Sequence, residues 1–126
     1  MRSVSQKDIQ TGIQVENKGY IAVDLDGTLA HEDQWVGPGV IGHPIPEMVR
    51  RVKQWLAAGE DVRIFTARLA HDPQGVEKTA IHYWTQKHIG QALPSTCCKD
   101  MHMKQLWDNR AVQVETNTGR PVVRGY

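Results

Sequence analysis

The chain carries almost no net charge. Across its 126 residues, 15 Lys and Arg oppose 14 Asp and Glu, a formal charge of +1. A protein that holds nucleic acid by bulk electrostatics needs a basic excess, which is lacking here, although a local basic patch is compatible with that balance. No apolar stretch approaches the roughly 20 residues of a membrane-spanning helix. No apolar segment follows Arg2, so a secretory signal is not expected. Cysteine is scarce, and the two present, Cys97 and Cys98, are neighbours. One pair makes no disulfide framework, and a bond between adjacent residues is strained, so a reducing, cytoplasmic setting is expected. Neither C-x-x-C nor H-E-x-x-H occurs, which leaves thiolate-zinc and zincin chemistry without support. None of the six histidines stands at metal-ligand spacing. There is no internal repeat and no low-complexity tract.

What is present suits one domain. At 40% hydrophobic residues, a chain of this length is not disordered throughout and can bury roughly two thirds of its unfolded surface. A single domain over residues 1–126 is expected, with a core at about 19–114 and peripheral segments at 1–18 and 115–126. Tyr20–Val23 is a short apolar, partly β-branched run halted by Asp-x-Asp-Gly-Thr, the pattern of a buried parallel strand. Residues 31–46 hold three glycines and three prolines and form a long loop placed to lie over whatever the acidic motif builds. Pro46 suits the first position of a helix whose apolar face is Met48, Val49, Val52, Trp55 and Leu56, stopped by Gly59. Val62–Thr66 is the next strand. Val76, Ala80, Trp84 and His88, flanked by Ile81 and Tyr83, outline a second helix ending at Gly90. Ser95–Cys98 and Gln105–Trp107 are further strands, and Ala111–Val114 and the region of Ile13–Val15 are candidate edge strands. Trp55, Trp84 and Trp107 are expected in the core, the cysteines as small buried residues, and Trp35 exposed in the Gly/Pro loop. Strands alternating with helices imply an α/β fold with a mostly parallel sheet and right-handed crossovers.

In such a sheet the carboxyl ends of the strands share one edge, where ligands bind. Each expected strand ends in a polar residue of its own kind: Asp24 and Asp26, then Thr66, then Lys99, then Asp108. Converging carboxylates repel unless a cation joins them, and hard oxygen donors beside an anionic group suit Mg2+. Lys99 adds positive charge. The set is suited to hold an anionic group beside a nucleophilic carboxylate. Lys104, four residues before Asp108, is the alternative lysine.

The segments DLDGTLA, VRIFTAR, CCKD and LWDNRA resemble, in order, the four motifs of the haloacid-dehalogenase-like hydrolase superfamily. The similarity covers about residues 19–114, and Asp-x-Asp-Gly-Thr is its most specific element. The resemblance implies a three-layer Rossmann-like fold without a large cap domain, and a phosphatase acting in two steps. Asp24 would be the nucleophile and Asp26 the general acid and base. Thr66 would hydrogen-bond a phosphoryl oxygen, and Lys99 would hold Asp24 and the phosphate. Mg2+ would be held by Asp24, by the Asp26 main-chain carbonyl and by Asp108. Substrate contacts would fall to Gly27, Thr28, Thr66, Ala67, Arg68 and Asn109. The acid at Asp26 favours phosphate esters over carbon–halogen bonds. The fourth motif departs from the Asp-Asp of many relatives, carrying Asn109 as its second residue, and an amide brings no charge. The expected partner is a small phosphorylated substrate (a nucleotide or phosphoester) or a nucleic-acid terminus, with no membrane. A second reading is a degenerate relative that binds a phosphorylated ligand or protein without turnover.

Overall fold

The structure, a computed structural model, describes residues 18–122. It contains a four-stranded, all-parallel sheet in the order β3-β2-β1-β4, with two α-helices. In chain order the elements are β1 (Tyr20–Asp24), α1 (Pro46–Ala57), β2 (Asp61–Phe65), a 3₁₀ turn (Ala67–His71), α2 (Val76–Ile89), β3 (Ser95–Thr96) and β4 (Met103–Trp107). The suggested strand near Ile13–Val15 lies outside the described residues. Among the described residues no helix is long and apolar enough to cross a membrane.

Four consecutive residues of β1, Tyr20 to Val23, are buried, as a central parallel strand requires. The sheet face of Ile21, Val23, Val62 and Ile64 meets Met48 and Val52 from α1 and Ile81, Trp84 and Ile89 from α2. Both helices therefore pack on one face. Among the described residues no helix covers the other face. Instead the 97–102 link runs from the carboxyl end of β3 to the amino end of β4, where the Tyr20 amide donates to the His102 carbonyl at 2.8 Å.

Helix α1 starts at Pro46, whose missing N–H would have had no partner in any case. It closes on Gly59 at φ 87°, a left-handed position that suits glycine. Helix α2 is anchored from upstream, because the Asp72 carboxylate accepts from the Glu77 and Lys78 amides, both at 3.0 Å. Those bonds, the one from the Glu77 amide foremost, hold Asp72 below the usual carboxylate range.

Several sequence expectations are corrected. The inward face of α2 is Glu77, Ile81, Trp84, Thr85 and Ile89, while Val76 and Tyr83 are exposed. Strict four-residue spacing drifts by about 40° per step around a helix, so the 76-80-84-88 line cannot stay on one face. Thr85 is tolerated inside because its hydroxyl donates to the Ile81 carbonyl at 2.8 Å and accepts from the Leu93 amide at 3.0 Å. Strand β3 stops at Thr96, whose hydroxyl takes the Cys98 amide at 3.0 Å and turns the chain. Cys97 and Cys98 are consequently exposed, not buried. Ala111–Val114 adds no strand to the sheet. Val114 instead forms an isolated antiparallel bridge with Pro121, flanked by hydrogen bonds of Gln113 with Val122 and of Glu115 with Arg120. Trp107 lies on the edge strand, 36% exposed, against Trp55 at 5.1 Å between ring centroids.

Candidate active site

The register that sets Val23 beside Ile64 and Trp107 brings the ends of three strands together. Asp24 leaves β1 there, Thr66 follows β2, and Asp108 follows β4. After Asp24 the chain turns back sharply, with the Leu25 carbonyl accepting from the amides of Thr28, Leu29 and Ala30. Gly27 sits in this turn at φ 89°, and a Cβ there would come within 2.6 Å of the Asn109 side chain. Only glycine serves both the backbone and the close packing of Asn109. Thr28 stitches the two strand ends. Its hydroxyl accepts from the Asn109 amide at 3.0 Å and lies 3.4 Å from Asp24 Oδ2 and 3.3 Å from Asn109 Oδ1.

Asp24 pays for this position electrostatically. Burial first, and then the charge of Asp108, push its carboxyl up to about 6, against a contrary pull from the Thr28 hydrogen bond. Asp26 and Glu32 add to the rise. Asp108 is itself oriented by the Arg110 amide, which donates to its Oδ1 at 2.7 Å.

Thr66 is 2% exposed. Its amide donates to the Thr96 carbonyl at 2.9 Å, and its hydroxyl accepts from the Arg68 amide at 3.2 Å, capping the 3₁₀ turn. That bond leaves the hydroxyl hydrogen available for a ligand oxygen. The turn aims Arg68 inward. Its guanidinium grips both oxygens of Asp26, Nε to Oδ2 at 2.7 Å and Nη2 to Oδ1 at 2.9 Å. It also donates to Glu77 Oε1 at 2.8 Å and to the Val40 carbonyl at 2.7 Å. Glu77, buried on the first turn of α2, accepts the Gly39 amide on both oxygens at 3.1 Å. The Gly/Pro loop is thus tied to the site through Arg68 and Glu77.

A cavity of about 710 Å³ opens at this edge. Asp24, Asp26, Thr66, Ala67, Arg68 and Asp108 line it, whereas Gly27, Thr28 and Asn109 form the turn beside it. Lys99 is exposed on the link after β3 and does not line the cavity. Lys104 lies at the amino end of β4, paired with Glu60 at 2.6 Å. Glu77 was not among the residues singled out from the sequence. It stands nine positions from Arg68, and no local pattern marks it. Six carboxylates and two guanidiniums line the cavity, a balance that repels an anion unless a cation is supplied. Among the described residues no three His, Cys, Asp or Glu side chains converge as a ready-made metal cluster.

Comparison with known protein families, with characterised proteins and with solved structures found no match.

Two predictions follow from these charges. Folded Asp24 keeps its proton to about pH 6, whereas the unfolded carboxyl loses it near 3.8. Between those values the folded state binds more protons, so stability falls as pH rises and the full penalty is present above pH 6. Asp24→Asn in metal-free buffer should therefore stabilise the protein at pH 7.5 by about 1 kcal/mol, a figure reduced for solvent screening. The gain should fade towards pH 4. Thermal unfolding at both pH values checks this, and a destabilised variant, or a gain equal at both, contradicts it. Glu77→Ala should cost about 2–3 kcal/mol in urea unfolding at pH 7, because it strips Arg68 and the Gly39 amide of a buried partner. A cost below about 0.5 kcal/mol would show that the Glu77 contacts are not holding the loop.

Proposed function

We propose that this chain is a Mg2+-dependent phosphohydrolase of the haloacid-dehalogenase-like kind, cleaving a phosphomonoester through an aspartyl-phosphate. The observation that carries it is the convergence of Asp24 and Asp108 at the ends of paired parallel strands, with Asp26, Thr66 and Arg68 around the same cavity. A cytoplasmic setting is part of the proposal, supported by two exposed free thiols. So is the Rossmann-like form of the fold, for which the parallel sheet is the support, with the helices of the described residues on one of its faces.

The donors fit a hard cation. Mg2+ commonly takes one or two carboxylates and keeps several waters, so a three-carboxylate cluster is not required. Asp24 and Asp108 would supply the carboxylates. The Asp26 main-chain carbonyl would be a third donor, and neither bond of the short Asp26–Ala30 bridge uses it. When bound, the cation supplies positive charge that offsets both carboxylates and the phosphoryl oxygens.

In the first step an Asp24 oxygen attacks phosphorus, the new P–O bond forming as the bond to the leaving alcohol breaks. Asp26, released by Arg68 and having taken up a proton from solvent, would give that proton to the departing oxygen. In the second step Asp26 takes a proton from water, which attacks phosphorus and displaces the Asp24 carboxylate as inorganic phosphate leaves. Thr66 donates its hydroxyl hydrogen to a phosphoryl oxygen. Arg68 has the fork geometry that suits phosphate. Its transfer from Asp26 to the incoming phosphate would free Asp26 for proton transfer. Lys99 has a role here only if the exposed link after β3 carries it towards Asp24.

A second reading, binding without turnover, is favoured by the Arg68 grip on both Asp26 oxygens and by Asn109. Phosphate release from a phosphomonoester panel separates the two. Release that needs Mg2+ and falls by at least about a thousandfold in Asp24→Asn is expected if Asp24 is the nucleophile. Release that survives Asp24→Asn overturns the proposed mechanism. Mg2+ binding without any release supports the binding protein.

A further inference from the structure

Trp35 is 62% exposed, on the Gly/Pro loop and not in the core. It lines the same cavity as Asp24, Thr66 and Asp108. Its ring is steadied on one side by the Arg68 guanidinium, 5.1 Å from the ring centroid. Arg68 is in turn fixed by Asp26, Glu77 and the Val40 carbonyl, and the Gly39 amide ties the loop to Glu77. A large indole with so much surface in water, on a loop anchored at its base, is placed for a ligand to cover. Besides Trp35, the cavity lining includes the apolar side chains of Pro38, Phe65, Pro73 and Val76. A small polyol phosphate has no use for such a lining, whereas a flat ring system does.

We propose that the cavity takes a nucleoside 5′-monophosphate, its phosphate at Asp24 and its base stacked on the open face of Trp35 against the apolar lining. This rests on the phosphohydrolase reading and names its substrate class. The volume of about 710 Å³ falls within the range of roughly 300–1,000 Å³ typical of small-molecule pockets. A long nucleic acid is a poorer fit, since carboxylates outnumber guanidiniums around the cavity and the whole chain is nearly neutral.

The test compares AMP with ribose 5-phosphate, which keeps the sugar and the phosphate but lacks the base. Base stacking on an aromatic side chain predicts kcat/KM about tenfold or more higher for AMP. Trp35→Ala should bring the ratio close to one, and Trp35→Phe should retain most of it. A wild-type ratio near one, or a ratio that Trp35→Ala leaves intact, overturns the proposal while the phosphohydrolase reading stands. If neither compound is hydrolysed, calorimetry on the unaltered protein with Mg2+ reads the same preference without turnover. Tighter binding of AMP supports the base site, and equal or absent binding overturns it.

Discussion

The crowding of Asp24 against Asp108 is the constraint around which the site is arranged. It arises from backbone register alone. Pairing Val23 with Trp107 in a parallel ladder sends both acids out of the sheet side by side. Burial first, and then the charge of Asp108, push the Asp24 carboxyl up to about 6. A carboxylate so perturbed, in a cavity and beside a second acid, makes this edge of the sheet the candidate functional site. The Thr28 hydroxyl and the close packing of Asn109 on Gly27 hold the two strand ends together against that repulsion.

The second organising element is Arg68. It neutralises part of the acid-rich cavity, links Asp26 to Glu77, and reaches across to the loop carbonyl of Val40. Charge, loop position and the orientation of Trp35 thus depend on Arg68, whose side chain is 8% exposed. A ligand that draws Arg68 from Asp26 would free that acid, while Glu77 and the Val40 carbonyl still hold the guanidinium beside Trp35. Such coupling suits a site that must take up an anion before proton transfer begins.

Much of this was legible in the sequence because it is local. The β-branched run ending in Asp-x-Asp-Gly-Thr fixed β1 and its acidic edge, and Pro46 and Gly59 bracketed α1. The convergence of Asp24, Thr66 and Asp108 followed from parallel topology. What escaped was non-local. Glu77 is a buried partner of Arg68 only because the 3₁₀ turn folds back on α2. The inward face of α2 depended on rotation about the helix axis, which regular four-residue spacing misjudges over four turns. The cysteines were expected inside from residue type, but the Thr96 side chain ended β3 and left them in solvent. The Ala111–Val114 segment had strand-like residues, yet found its hydrogen bonds in its own hairpin.

Asp24 is the proposed nucleophile. Rapid acid quench during turnover of a phosphomonoester with Mg2+, followed by peptide mass spectrometry, tests it most directly. A single phosphoryl group on Asp24, absent in Asp24→Asn, is the predicted result. Turnover with no phosphorylated aspartate, or with the group on another residue, would contradict the account.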